Sequence, residues 1–174
     1  LGYPQPQDST PSTLAFWHYA RGLAQIGKGN LDEARISRRQ LGDAITRVPM
    51  DLMLNTNPAH DLLGIASSVL DARLASATGD RNTAIRHWTN AIEVQDRLIY
   101  DEPPAWYYPV RESLGGEYLR ARGYAAAEGV FRRDLEKNPK NPRSIFGLRE
   151  ALRGQRKNAD ELNPEFERQG QDAE

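Results

Sequence analysis

The stretch that decides the fold covers residues 111–139 and reads RESLGGEYLRARGYAAAEGVFRRDLEKNP. Small residues stand at Gly115 and Ala127, and larger apolar residues stand at helical spacing around them. This pattern predicts two helices that cross closely at the small residues. The side chains expected to fill the space between the helices are Leu114, Tyr118 and Phe131. Because one such pair cannot bury its apolar face alone, further pairs must stack on it.

The spacing of this stretch resembles the tetratricopeptide repeat (TPR) pattern W-x2-L-G-x2-Y…A-x3-F…P, with Arg111 in place of the opening aromatic residue. The resemblance implies an all-α fold, a right-handed TPR-like superhelix of about three helix pairs plus a C-terminal capping helix or pair. The predicted pairs cover residues 12–47, 58–99 and 109–138, and the capping region covers residues 142–169. Residues 12–156 form the predicted repeat domain, with an extended lead-in at 1–11 and a loose tail at 170–174.

Local signals place the ends of these helices. A capping residue followed by proline predicts a helix start at Thr10-Pro11, at Asn57-Pro58 and at Asn141-Pro142. Asn30, followed three residues later by Glu33, predicts a capping-box start for the second helix, which we expect to end at about Arg47. The fourth helix is predicted to run to about Ile99, and the apolar loop 48–58 to fold back on the helices.

A second resemblance is more specific. Residues 101–115, DEPPAWYYPVRESLG, are similar to a signature of a group of bacterial TPR proteins of uncharacterised function. In that group the signature is followed by an Ala-Glu-rich helix, by Arg-x-Asp-Leu and by Pro-x-Asn, which here begin at Ala127, Arg132 and Pro139. The resemblance implies a longer parent chain with more repeats upstream, and it implies no activity. The start at Leu1, without Met or a leader, also predicts a fragment or a processed form.

Composition excludes several classes of function. Lys and Arg total 23 against 24 for Asp and Glu, a net charge of −1, so we expect no nucleic-acid partner. No apolar run approaches the roughly 18 residues that span a bilayer, so we expect no membrane partner. The absence of Cys excludes disulfides, thiolate metal sites and a cysteine nucleophile. It leaves both the cytoplasm and the periplasm open as compartments.

The connector, residues 99–109, concentrates aromatic residues among prolines that break any helix. One interpretation is a ligand pocket at a repeat junction, lined by Asp101, Glu102, Trp106, Tyr108 and Arg111. The alternative is that the aromatic rings fill a gap between repeats, while Asp101 or Glu102 pairs with Arg111 and caps the next helix. We favour the second interpretation, because packing commonly accounts for buried aromatic rings.

A peptide groove is the other candidate site. In TPR superhelices the first helix of each pair lines the concave face, and the resemblance implies the same here. Helical phase then places a mixed apolar and charged set on that face: Tyr19, Leu23, Arg73, Glu112, Leu119, Arg120, Phe146 and Glu150. Such a surface favours an extended or helical peptide, and the alternative is a groove packed by the chain itself.

Motifs for catalysis or cofactors are missing from the sequence. It contains no Gly-x-Ser-x-Gly elbow, no phosphate-binding loop and no paired His spacing for zinc. His18, His60 and His87 fall on three different predicted helices, so we expect no metal site. No cofactor is predicted.

We therefore expect a non-enzymatic scaffold that binds a protein or peptide partner in the groove. Two alternatives remain open: a small-molecule or metal-ligand sensor that uses residues 100–111 and His18, and an accessory part of a larger enzyme. An uncapped repeat end would also allow two copies of the chain to associate.

Overall fold

The computed structural model describes residues 4–6 and 9–159. This part of the chain contains seven α-helices and one short antiparallel hairpin, so the predicted all-α class is confirmed. None of these described helices is both long enough and apolar enough to cross a bilayer. The helices are α1 (Pro11–Gly27), α2 (Leu31–Ile45), α3 (Ala59–Ala77), α4 (Arg81–Gln95), α5 (Val110–Arg120), α6 (Tyr124–Lys137) and α7 (Pro142–Gly154), and the hairpin pairs β1 (Met53–Leu54) with β2 (Asn57–Pro58).

Two compact units meet in the chain between Tyr108 and Pro109. The first unit contains α1 to α4. There α1 packs along α2, α3 packs along α4, and α3 also contacts both α1 and α2. This stacking of one pair on the next buries the apolar face that a single pair leaves open. The buried core residues of these helices include Ala34, Leu41, Leu70, Ala84 and Trp88.

The same turn recurs after α1, α3, α5 and α7. Each turn contains one residue with a positive φ, namely Gly29, Gly79, Arg122 and Arg156. In each turn the next backbone N–H donates to the carbonyl five residues earlier: Asn30 to Gln25, Asp80 to Ala75, Gly123 to Tyr118 and Lys157 to Leu152. This bond belongs to the Schellman type of helix end. Arg156 follows Arg122 by 34 residues, and α7 ends in the same type of turn as α1, α3 and α5.

The second unit contains α5, α6 and α7, which all contact one another. Its core is centred on Phe131, whose ring lies against the backbone of α5 at Gly115 and of α7 at Gly147. A Cβ atom at either glycine would overlap the ring, so only glycine allows both helices to approach this closely. The close approach predicted at Gly115 is therefore a contact between the α5 backbone and the ring of Phe131. The other core residues here include Ala127, Leu148, Ala151 and Leu152.

Two of the predicted caps are confirmed. The Thr10 hydroxyl accepts a hydrogen bond from the backbone N–H of Thr13 at 3.3 Å and starts α1. The Asn141 side-chain oxygen accepts from the backbone N–H of Arg143 at 3.1 Å and starts α7. The predicted capping region and tail extend past residue 159 and lie there outside the described residues.

Other helix ends differ from the predictions. Asn30 stands at the N-cap of α2 as predicted, but its side chain forms no capping hydrogen bond and its amide donates to the side chain of Gln25 at 3.0 Å. Asn57 does not cap α3, because its buried side chain binds both the N–H and the carbonyl of Ile99. With the backbone of Ile99 used in this way, α4 ends at Gln95 instead of about Ile99. Helix α2 likewise ends at Ile45, two residues before the predicted Arg47.

Candidate functional site

The connector is held at both ends by side chains of the first unit. Near its start, the Asn57 side chain donates to the Ile99 carbonyl at 3.0 Å and accepts from the Ile99 N–H at 2.8 Å. Near its end, the Gln95 side chain donates to the carbonyl of Tyr108 at 2.8 Å. Because Asn57 precedes α3 and Gln95 ends α4, the connector is anchored on the second helix pair.

Between these anchors the connector forms an aromatic cluster with α1. The Trp106 ring is 5.8 Å from that of Tyr19, 5.2 Å from Tyr107 and 6.4 Å from Tyr108, measured between centroids. The hydroxyls of Tyr19 and Tyr107 are hydrogen-bonded at 3.0 Å. Trp106 is 5% exposed and Tyr19 is 6% exposed, whereas Tyr107 is 68% exposed. The rings therefore pack on one another, as the gap-filling interpretation requires, and Tyr107 covers the cluster from outside.

Burial also fixes the protonation of Tyr19. It raises the pKa of the Tyr19 hydroxyl far above its ordinary value of 10, and the hydrogen bond with Tyr107 raises the pKa further. The nearby guanidinium of Arg73 opposes this shift but does not reverse it. The hydroxyl is therefore protonated at neutral pH and serves as a hydrogen-bonding group.

The acidic residues predicted for a connector pocket do not face its aromatic rings as a set. The Asp101 carboxylate accepts from the backbone N–H of Glu102 through one oxygen, and its other oxygen is buried without a hydrogen-bond partner. Glu102 is exposed and accepts from the hydroxyl of Tyr100. Arg111 stands in α5 and belongs to the second unit. Of the five predicted residues, Trp106 and Tyr108 are the two brought together.

The predicted groove residues of the first unit are partly covered. Tyr19 lies under the connector, so its place on the groove face is filled by the chain's own Trp106 and Tyr107. Leu23 is half-buried. Arg73 is exposed, and its guanidinium stacks over the Trp88 ring at 5.2 Å. At Tyr19 the structure thus matches the alternative of a self-packed groove.

The predicted groove residues of the second unit form a more open surface on α7. Phe146 is 46% exposed, and the guanidinium of Arg149 lies 5.2 Å from its ring. Glu150, one turn further along, contacts Arg153 at 3.2 Å and Arg149 at 3.8 Å. We call the row formed by the exposed Phe146 and Arg153 and the half-buried Glu150 the α7 face. It combines an accessible aromatic ring with charges of both signs.

Helix α5, which contacts α7, contributes the remaining predicted residues. Leu119 is half-buried against the core of the unit, and Arg120 is exposed and pairs with the buried Glu117 at 2.7 Å. The Glu112 carboxylate accepts from Asn141 at 2.8 Å and contacts Arg143 at 3.5 Å. Glu112 thus ties the start of α5 to the start of α7.

A polar network that the sequence did not reveal supports this arrangement. The buried Asp134 carboxylate accepts from Ser144 at 2.5 Å, from Asn141 at 2.8 Å and from Asn138 at 3.1 Å. Ser144 and Asn141 lie at the start of α7, where the helix dipole also favours a negative charge. In the sequence, Asn138 and Asn141 indicate only a turn and a cap, so their shared contact with Asp134 needed the tertiary structure.

A cleft of about 550 Å³ adjoins Glu112 on the second unit. It was not predicted, because most of its lining residues lie in the proline-containing turn between α6 and α7. Its lining consists of Pro109, Glu112, Asn138, Pro139, Lys140 and Asn141. The cleft extends the accessible surface at the N-terminal end of α5.

The three histidines stand apart in the first unit, on α1, α3 and α4. His60 hydrogen-bonds through Nε2 to the Val48 carbonyl at 3.1 Å, and so joins the loop before β1 to α3. Burial and the charge of Arg21 lower the pKa of His18, so its ring is neutral at pH 7. Within the described residues, no group of three His, Asp or Glu side chains is arranged to hold a metal ion.

No protein-family model matches the sequence, and no curated protein matches it. The function is therefore argued from the described residues themselves.

Proposed function

We propose that the protein is a non-enzymatic interaction scaffold that binds an extended or helical peptide of a partner protein on the α7 face. The observation that carries this proposal is Phe146, a large aromatic side chain that remains 46% exposed on a helix whose other apolar residues are buried. Exposed aromatic rings next to Arg are typical anchors in protein interfaces.

The proposal follows from how this surface would bind a peptide. A partner side chain placed on Phe146 would remove apolar area from water, at about 25 cal/mol per Å². Arg153 and Glu150 offer opposite charges one turn apart, so they would select a peptide with complementary charges and set its register. Leu119 and Arg120 of α5 extend the same combination of apolar and charged groups beside it.

The first unit supports a narrower site than the sequence implied. The groove position of Tyr19 is covered by Trp106 and Tyr107, which leaves little apolar area there for a partner. The proposed site therefore rests on α5 and α7, and the cleft beside Glu112 offers room for the end of the peptide.

The test is selection of peptides from a random 12-residue phage library on the intact chain, compared with two variants. We expect the selected peptides to bind the original chain and to lose binding in Phe146→Asp. They should keep it in Tyr100→Asp, which changes an exposed aromatic residue of the connector. Failure to enrich any peptide, or equal binding by Phe146→Asp, would exclude the α7 face as the peptide site.

A sensor that uses the connector is the second candidate. It is supported by two buried polar atoms without a hydrogen-bond partner, the Trp106 Nε1 and one oxygen of Asp101. The close packing of Trp106 against three tyrosine rings weighs against it, because the rings fill the space that a ligand would need. Native mass spectrometry of the intact chain distinguishes the two, since a sensor with a bound small ligand would show the added mass.

A further inference from the structure

A second cleft lies beside α1 and α2 in the first unit, away from the α7 face. It has a volume of about 290 Å³, near the lower end of the range for small-molecule sites. Leu14 and Ala44 give it an apolar wall, and four polar side chains complete most of its lining: His18, Gln40, Asp43 and Arg47. The cleft combines two neutral side chains with buried polar atoms, His18 and Gln40, and two exposed charged side chains, Asp43 and Arg47.

The buried polar groups are without hydrogen-bond partners. His18 is 4% exposed, and its Nδ1 atom is buried and unbonded among the described residues. The Oε1 atom of Gln40 is buried and unbonded in the same way. Leaving such a group unpaired is costly, so buried polar atoms in native proteins nearly always have a partner. Both atoms line one cleft, so a molecule bound there would supply their hydrogen bonds.

The charged groups that line the cleft are Asp43, near the end of α2, and Arg47, in the turn that follows the helix. Asp43 and Arg47 are both exposed, and the side chain of neither forms an ion pair with another described residue. Asp43 lies close enough to raise the pKa of His18, against the larger effect of burial. A carboxylate and a guanidinium on the lining of one small cleft are complementary to a zwitterion.

We propose that this cleft binds a free amino acid with a polar side chain. Asp43 accepts hydrogen bonds from the ammonium group, and Arg47 donates to the carboxylate. The side chain of the amino acid enters the cleft and donates to Gln40 Oε1, while His18 Nδ1 either donates or accepts, since its neutral ring can do both. A site with buried polar groups discriminates strongly against an apolar side chain of the same size, because those groups would stay unpaired. This site is independent of the peptide face on α7.

The test is isothermal titration of the intact chain at pH 7 with L-asparagine, L-glutamine, L-serine and L-threonine, each in turn. L-leucine is the matched comparison, since it has nearly the shape of L-asparagine without its hydrogen-bonding groups. We expect at least one polar amino acid to bind, and L-leucine to bind at least about tenfold more weakly.

Two arginine substitutions complete the design. Arg47→Ala should weaken binding by at least about tenfold, because it removes the partner of the carboxylate. Arg39→Ala changes an exposed arginine of α2 that does not line the cleft, and it should leave binding unchanged. Circular dichroism would verify that both variants keep their helix content. The proposal is overturned if none of the four binds up to about 10 mM, if L-leucine binds equally well, or if Arg47→Ala has no effect.

Discussion

A helix face is covered by other side chains in the first unit and remains exposed in the second unit. In the first unit Tyr19 is covered by the aromatic rings of the connector, which is anchored by Asn57 and Gln95. In the second unit Phe146 remains open, and the unit is held together by a network of polar side chains around Asp134. The same kind of helix position therefore serves packing in one unit and is accessible in the other.

This difference shows that position on a helix does not by itself define a binding surface. A long connector rich in aromatic residues follows α4, and it supplies the rings that cover Tyr19. The turn between α6 and α7 is short and polar, and it supplies Asn138 and Asn141 to the network instead. The composition of the connection thus decides which neighbouring surface stays accessible.

Trp106→Ala tests the covered face and should have the largest effect. Removing a buried indole that contacts three tyrosines leaves a cavity, so we expect the free energy of unfolding to fall by about 3–5 kcal/mol. Urea unfolding followed by tryptophan fluorescence reports on the first unit, because Trp17, Trp88 and Trp106 all lie there. Tyr100→Ala is the control and should change stability by less than about 0.5 kcal/mol. A loss below about 1 kcal/mol for Trp106→Ala would show that the connector does not stabilise the unit.

Asp134→Ala tests the polar network that stabilises the second unit. It leaves the hydroxyl of Ser144 and the amide of Asn141 without their shared acceptor, so we expect a loss of about 2–3 kcal/mol. Far-UV circular dichroism during urea unfolding measures the loss, since the second unit contains no Trp. Glu136→Ala, an exposed acid on the same helix, is the matched control. Equal effects of the two substitutions would mean that the network adds nothing beyond surface charge.

The sequence predicted the helices of both units, but it did not predict the contacts that cover Tyr19 in the first unit. The helices of both follow from apolar periodicity and from caps such as Thr10 and Asn141, which act locally. The contact of Tyr19 with Tyr107 spans 88 residues, and no local pattern specifies such a pairing. Asn57 shows the same limit, because next to Pro58 it predicts a cap, yet its side chain binds Ile99, 42 residues away.

For the candidate sites, the sequence predicted which residues are accessible better than it predicted what those residues contact. Phe146 is exposed and Glu150 is half-buried on α7, since exposure on a helix follows its period, and their place in a groove stays a prediction. The cleft at His18 was missed because it joins α1 to Gln40 and Asp43 of α2 and to Arg47 in the following turn. Its signal is the lack of hydrogen-bond partners for His18 Nδ1 and Gln40 Oε1 inside the fold. The sequence alone does not show which polar atoms lack a hydrogen-bond partner in the fold.

Glu128→Gln tests whether the ionised Glu128 carboxylate makes the stability of the second unit depend on pH. Hydrogen bonds from Lys157, Gln155 and Arg132 hold the pKa of the Glu128 carboxyl at about 2, below its ordinary value of 4.5. A depressed pKa stabilises the folded state above the ordinary pKa, and this stabilisation is lost as the pH falls from about 4.5 toward about 2. We expect Glu128→Gln to cost about 1 kcal/mol at pH 7 and much less near pH 2. Urea unfolding at both pH values measures this, and a cost that does not depend on pH would contradict the ionic origin.

Phe146→Ala should have the smallest effect on stability, and that is what distinguishes the open face from the covered one. An exposed ring stacked with one guanidinium contributes less than about 1 kcal/mol to folding, whereas the buried neighbour Leu148→Ala should cost about 2–5 kcal/mol. Far-UV circular dichroism during urea unfolding measures both variants. A large loss for Phe146→Ala would mean that the ring stabilises the fold as Trp106 does, and its exposure would then give no support to a binding role. A small loss leaves a large apolar side chain in water without a structural reason, which is the property expected of a residue that a partner buries.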